Sequence, residues 1–97
     1  MVRIMIERHL KAGKRGELIH LLKELRTAAI NQPGYVSGET LSGIDDASFI
    51  SVLSTWSSLE DWKKWEESEL RIKLEQQIEP LLIGKAKVSI YQVMATE

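Results

Sequence analysis

Hydrophobic and polar positions alternate from Val2 to Lys11. Val2, Ile4, Ile6 and Leu10 fall on one side and Arg3, Met5, Glu7 and His9 on the other, which predicts a strand with two distinct faces. Ala12-Gly13-Lys14-Arg15-Gly16 ends that alternation, and the period then lengthens to that of a helix. Leu18, Leu21, Leu22, Leu25 and Ala28 or Ala29 recur at i, i+3, i+4 and i+7, an apolar stripe on one helix face. Pro33-Gly34 cannot continue a helix, so this one ends near Asn31. Tyr35 to Gly43 reads as a second strand, polar and containing glycine, whose register is weakly specified. Asp45-Asp46 supplies a turn, and Phe49 to Trp56 is a third strand rich in β-forming residues, making a hairpin with the second.

Ser58 with Asp61 three residues on has the outline of a capping box and starts a second helix. Leu59, Trp62 and Trp65 share one face of it. Leu70, Leu74, Ile78, Leu81 and Leu82 continue at helical spacing after a bend near Ser68, and Pro80 closes the helix. Lys87 to Ala95 alternates again, with Val88, Ile90, Gln92 and Met94 against Ser89, Tyr91 and Val93. The order strand, helix, strand, strand, helix, strand predicts an α+β fold of the ferredoxin-like βαββαβ type. Right-handed crossovers then give a four-stranded antiparallel sheet with both helices on one face. Strands one, three and four carry apolar residues on both faces, so the uncovered face predicts a partner. The simplest one is a second copy of the chain, as a homodimer.

A length of 97 residues fits a single domain spanning 1–97. Thirteen basic and 14 acidic residues leave a net charge of -1 with no like-charged block, which gives no electrostatic basis for nucleic acid. The absence of cysteine excludes disulfides, thiolate nucleophiles and cysteine-based zinc sites. Charges interrupt the N-terminal segment every few residues, unlike a signal peptide, and no apolar run reaches the roughly 20 residues of a membrane span. The expectation is a soluble, cytoplasmic protein that does not engage membranes.

Chemistry has few places to sit. All three tryptophans lie between positions 56 and 65. Trp62 and Trp65 read either as core or as residues of which one indole lines a cavity between helix and sheet. His9 shares a strand face with Met5 and Glu7, and it reads first as an ordinary hydrogen-bonded histidine, with a general base or a haem ligand as the alternatives. Glu7 and His9, two apart on a strand, can reach one pocket. His20 sits beside the first helix's apolar stripe as a surface or boundary residue. No glycine-rich loop has phosphate-binding spacing, no His/Asp/Glu set has metal-ligand spacing, and no serine occupies a nucleophile elbow.

Three segments carry a family resemblance. Glu7-Arg8-His9-Leu10-Lys11-Ala12-Gly13-Lys14 resembles the strand-one ending of the antibiotic biosynthesis monooxygenase family. Pro33-Gly34-Tyr35-Val36-Ser37-Gly38 resembles the family's entrance to strand two, and Ser54 to Trp65 resembles its tryptophan-containing block before the last helix. The resemblance implies a dimeric α+β barrel. Family members include cofactor-independent oxygenases of aromatic polyketides and haem-degrading oxygenases. Trp65 corresponds to the tryptophan of the haem-degrading branch, while Glu7 stands where that branch has asparagine and Glu75 where it has histidine. Against the polyketide oxygenases, Asp61 and Trp65 correspond to an asparagine and a tryptophan, and no tyrosine stands near Arg71. The resemblance thus implies a monooxygenase that needs no cofactor and acts with O₂ on a small aromatic substrate, phenolic, quinol or polyketide-like. In that reading His9 or Glu7 takes a proton, Trp65 walls the pocket, and Trp62, Met5, Arg8 and Asp61 contact the substrate. Two alternatives stand beside it. One is a ligand-binding dimeric barrel without catalysis, and the other is a haem-binding or haem-degrading relative that holds haem through His9.

Overall fold

The computed structural model describes residues 1–95. Its elements are β1 (Val2–His9), α1 (Arg15–Ala29), β2 (Tyr35–Ser42), β3 (Phe49–Trp56), α2 (Leu59–Glu66), α3 (Glu69–Ile78) and β4 (Lys87–Gln92), with a 3₁₀ turn at Glu79–Leu81 before β4. The sheet order is β2-β3-β1-β4 and every neighbouring pair is antiparallel. β1 and β2 therefore run the same way with β3 between them, the split βαβ arrangement that the pattern predicts. Among the described residues no helix is long and apolar enough to cross a membrane.

The alternation on β1 sorts the molecule into two sides. Ile4, Ile6, Arg8 and Leu10 are buried toward the helices, while Met5 and His9 are half-buried and Arg3 and Glu7 exposed on the other side. On β3, Ile50, Ser54 and Trp56 share the helix side. The core has two parts. Leu10, Leu18, Leu22, Ile50, Ile78, Leu81 and Leu82 form one, and Ile4, Ile6, Ala29, Trp56, Trp62 and Trp65 the other. Ile4, Leu18 and Ile78 are fully enclosed, and each such side chain contributes about 2 kcal/mol by leaving water. Arg8 falls between Ile6 of one cluster and Leu10 of the other, so a cation stands where the two halves of the core meet.

The second helical region differs from the expected single bent helix. It is two helices, and the break at Glu67–Ser68 resets their phase. A continuous helix with Trp62 and Trp65 inward would turn Glu69 and Ile72 inward as well. Instead Ser68 caps a new helix by accepting from the Arg71 amide, and Arg71, Leu74 and Ile78 become the buried face. Leu70, expected on the apolar stripe, is left exposed in the first turn of α3, and Leu59 is likewise exposed at the start of α2. β4 stops at Gln92 rather than Ala95, because its pairing with β1 ends at Val2↔Gln92 and only the Val93 amide reaches further, to the Met1 carbonyl.

β2 shows what its weak pattern allows. The register with β3 shifts between Tyr35 and Ser37, so Tyr35 and Gly38 both face the helices although they are three positions apart. The turn into this strand is held to α2. Gly34 has φ +84°, and a Cβ there would lie 2.2 Å from Oδ2 of Asp61.

Candidate active site

Beneath the helices, on the β2–β3 side of the sheet, lies a cavity of about 70 Å³. Each element contributes by its inward face. β1 supplies Ile6 and Arg8, and β3 supplies Val52, Ser54 and Trp56. The bulged β2 adds Tyr35 and Gly38, and α1 adds Leu22, Leu25 and Ala29. Trp62 and Trp65 come from α2, and Arg71 and Glu75 from α3. Arg26, Glu39 and Thr40 are exposed and form its rim. The wall is largely apolar and aromatic, the composition of a small-molecule site. At about half the ~150 Å³ of an apolar cavity that takes benzene, the enclosed part accommodates only one end of an aromatic ligand.

The aromatic wall is a chain of edge contacts. Tyr35 meets Trp56 at 5.4 Å between ring centroids with an interplanar angle of 88°, and Trp56 meets Trp62 at 5.8 Å and 64°. Such geometry is preferred over parallel faces. The Arg71 guanidinium carbon lies 5.0 Å from the Trp62 ring centroid, a cation–π contact. Trp56 Nε1–H donates to Ser54 Oγ at 3.1 Å.

Opposite the indoles sits a charged cluster. Arg8, 1% exposed, donates from Nη2 to Oε1 of Glu75. Arg71 Nη2 donates to the same oxygen at 3.5 Å. Burial pushes the Arg8 guanidinium below its ordinary pKa; the Glu75 carboxylate opposes that shift through charge attraction and its hydrogen bond, and the Arg71 charge adds to it. An arginine so lowered still carries its proton at neutral pH. Three donors in the cluster are fully buried with no hydrogen-bond partner among the described residues: Arg8 Nε and Nη1, and Trp62 Nε1. Donors left this way normally cost stability, so three of them on residues that line one cavity call for an acceptor.

The expected site residues are divided by the sheet. Arg8, Trp62 and Trp65 line the cavity together. Met5, Glu7 and His9 lie on the opposite face of β1, because strand residues one apart point to opposite sides. They therefore do not share the cavity with Trp65. His9 stacks on Phe49 instead, with centroids 4.2 Å apart and planes within 7°. Asp61 accepts from the Ser58 hydroxyl at 2.9 Å and closes the cap of α2 against Gly34, outside the cavity wall. His20 is exposed on α1, 3.6 Å from Glu24. No histidine lines the cavity, and His9, the expected haem ligand, lies across the sheet from it. Among the described residues no cluster of three or more His, Asp or Glu could hold a metal ion.

Tyr35, Ser54 and Arg71 join the site without having been singled out for it in the sequence, and Glu75, noted there as standing where the haem-degrading branch has histidine, joins them. Arg71 and Glu75 are one helical turn apart on α3, a spacing visible in the sequence, but which face of α3 turns inward depends on the break at Ser68.

The family model described as "Antibiotic biosynthesis monooxygenase" matches residues 1–73, which include Arg8, both cavity-lining α2 tryptophans and Arg71. Among curated proteins, none matches the chain. Solved structures share the fold at low identity. A conserved protein from Methanosarcina mazei Go1 aligns with TM-score 0.90 and 15% identity, over 94% of this chain and 90% of that one. Rv0793 from Mycobacterium tuberculosis aligns with TM-score 0.90 and 16% identity, over 98% and 96%. SnoaB from Streptomyces nogalater, a cofactor-independent oxygenase, aligns with TM-score 0.84 and 13% identity, over 98% and 95%.

Proposed function

The chain belongs to the antibiotic biosynthesis monooxygenase family, and we propose that it is a cofactor-free monooxygenase of a small, electron-rich aromatic compound, phenolic or quinol in character. The observation that carries this reading is the cavity that sets buried, unpartnered donors of Arg8 and Trp62 among apolar and aromatic walls. A substrate of this class reacts with O₂ once it has lost a proton. A methylene conjugated to the phenolate becomes a carbonyl: one oxygen atom enters the substrate, the other leaves as water, and the substrate itself supplies the electrons. The protein must then favour the anion, hold the ring and keep water out. Arg8 meets the first need, since a buried cation stabilises an oxyanion more strongly than water-screened charge does. Trp62 and Trp65 meet the second as rigid walls, and the apolar surfaces of Leu22, Leu25 and Val52 meet the third.

Met5, Glu7 and His9 take a different part in this reading. They lie on the uncovered sheet face, together with Leu41, Phe49 and Tyr91, all exposed. Two copies pairing through that face would bury them in a dimeric barrel, with each cavity on the outer, helix side of its own sheet.

A second reading, a ligand-binding barrel without turnover, is favoured by the occupation of Glu75. The carboxylate best placed to take a proton already accepts at Oε1 from two arginines, so that oxygen is occupied by structural partners. Oxygen uptake against a panel of dihydroxyphenols, anthrones and quinols separates the two. Uptake that needs the protein, falls about a hundredfold in Arg8→Met and slows in Trp65→Phe establishes the oxygenase. Unchanged turnover in Trp65→Phe removes that residue from the site. Folded protein that consumes no oxygen with any of these substrates leaves the binding reading.

A further inference from the structure

The charges around the cavity do not balance. Arg8 and Arg71 are buried cations, and Glu75 is the one carboxylate between them, so the cluster carries a net charge of +1 (two positive, one negative). At the rim, Arg26 is exposed, where water screens its charge, and the Glu39 side chain belongs to the uncovered sheet face, so the buried excess stays in place. A buried charge without compensation is costly, and proteins normally pair it or bind a counter-ion. Glu75 occupies Nη2 of Arg8, and the two remaining donor nitrogens, Nε and Nη1, are unpartnered. Because Nη2 belongs to both forked edges of a guanidinium, Nε and Nη1 act as separate donors, each suited to a single anionic oxygen. The Trp62 indole N–H is also unpartnered, and Ser54, the hydroxyl in the wall, is already the acceptor for Trp56.

We propose that the cavity selects a flat ligand bearing one negative charge on oxygen, carboxylate or phenolate, which accepts from a free N–H of Arg8 and the free N–H of Trp62 while its ring extends toward the rim between Leu25 and Tyr35. The inference rests on the reading of this cavity as the substrate site and adds the charge of what enters it. It concerns recognition and requires no turnover. A neutral ligand of the same shape leaves the excess charge and the free donors as they were, and a cationic one adds repulsion. A dianion overshoots the single positive charge.

The test is a titration of ¹⁵N-labelled protein followed at the tryptophan indole N–H signals, with Trp62→Phe identifying which one is Trp62. The carboxylate arm uses 2-naphthoate against 2-naphthalenemethanol, nearly the same size and uncharged. The phenolate arm uses 4-nitrophenol, whose visible absorption reports its ionisation, against 4-nitroanisole. The expected result is that at least one anion binds about tenfold or more tighter than its neutral counterpart and moves the Trp62 signal. Arg8→Met should abolish that preference while the neutral compounds bind as before. If Arg8→Met does not fold, Trp62→Phe, which keeps an aromatic side chain and removes the N–H, should weaken the anion severalfold more than the neutral compound. A lowered apparent ionisation of bound 4-nitrophenol identifies phenolate as the favoured form, and preference for naphthoate alone identifies carboxylate. Equal binding of charged and neutral partners overturns the proposal, as does binding that leaves the Trp62 signal in place, or no binding by any of the four. Anion selectivity without oxygen uptake would sink the oxygenase and leave this inference standing. Uptake without anion selectivity would do the reverse.

Discussion

Arg8 is the residue on which the site turns, and it was legible as an anomaly. Val2, Ile4, Ile6 and Leu10 mark the inward face of β1, and the position that completes the series is an arginine. A charge on a core face needs a partner, and the partner was the less legible half. Glu75 lies 67 residues away, and nothing local distinguishes it from the exposed glutamates around it. It follows that Glu75 holds the cluster together as well as lining the cavity. Glu75→Ala leaves Arg8 buried with no counter-charge and Arg71 with only the Trp62 face, which should cost about 3 kcal/mol or more of stability. Glu75→Gln, which keeps the shape and an acceptor oxygen, should cost less. Chemical denaturation of the three proteins measures both differences. A Glu75→Ala variant within about 0.5 kcal/mol of the parent would mean that the cluster does not hold the core together. The same scale explains why Asp61 was misleading. An acid one helical turn before Trp65 fits a substrate contact in the sequence, but its carboxylate is spent on the Ser58 cap.

At the scale of elements, the order and faces of the strands and of α1 were legible because their periods are regular and their breakers strong. The region after Trp56 was less so. The sequence suggested a bend at Ser68, whereas a capped restart there rotates the next helix and exchanges Leu70 for Arg71 at the wall. Side-chain type alone favours the opposite choice, and only the hydrogen bond from the Arg71 amide to Ser68 Oγ decides it. Position of the helix carrying Trp62 and Trp65 is set elsewhere, by the Pro33-Gly34 turn. Gly34 accommodates both a left-handed backbone and the Asp61 carboxylate in the space of a side chain, and its carbonyl accepts from the Ser57 amide at 2.7 Å. Gly34→Ala should therefore lose about 1–2 kcal/mol from the backbone conformation alone, with more from displacing Asp61. The variant should also shift α2, so the near-ultraviolet circular dichroism of the tryptophans should change along with the melting temperature. Loss of stability with an unaltered aromatic spectrum would show that the turn does not position the site.

The whole molecule presents two sheet faces built on different terms. The helix side is closed over the core and its cavity, while the other side mixes Met5, Leu41, Leu53, Phe49 and Tyr91 with Arg3, Glu7, Glu39 and Lys87. Met5 and Leu53 face each other across the central pair of strands and are half-buried, so they mark the middle of the surface that pairing would cover. Interfaces of stable complexes combine an apolar centre with a polar rim in this way. A charge at the centre is the sharpest test, because Leu53→Arg alters nothing on the helix side and its cost falls on pairing. The parent chain should sediment as a dimer at micromolar concentration, and Leu53→Arg as a folded monomer. Ligand recognition in the cavity separates the faces further. If each cavity is complete within one copy, Leu53→Arg should keep its affinity for the cavity ligand within about twofold, since sites distant from one another act independently. A monomeric parent would remove pairing from the account of this face. A monomeric variant that had lost ligand binding would mean that the cavity depends on the second copy, and that His9 and Glu7, across the sheet, influence it through the interface.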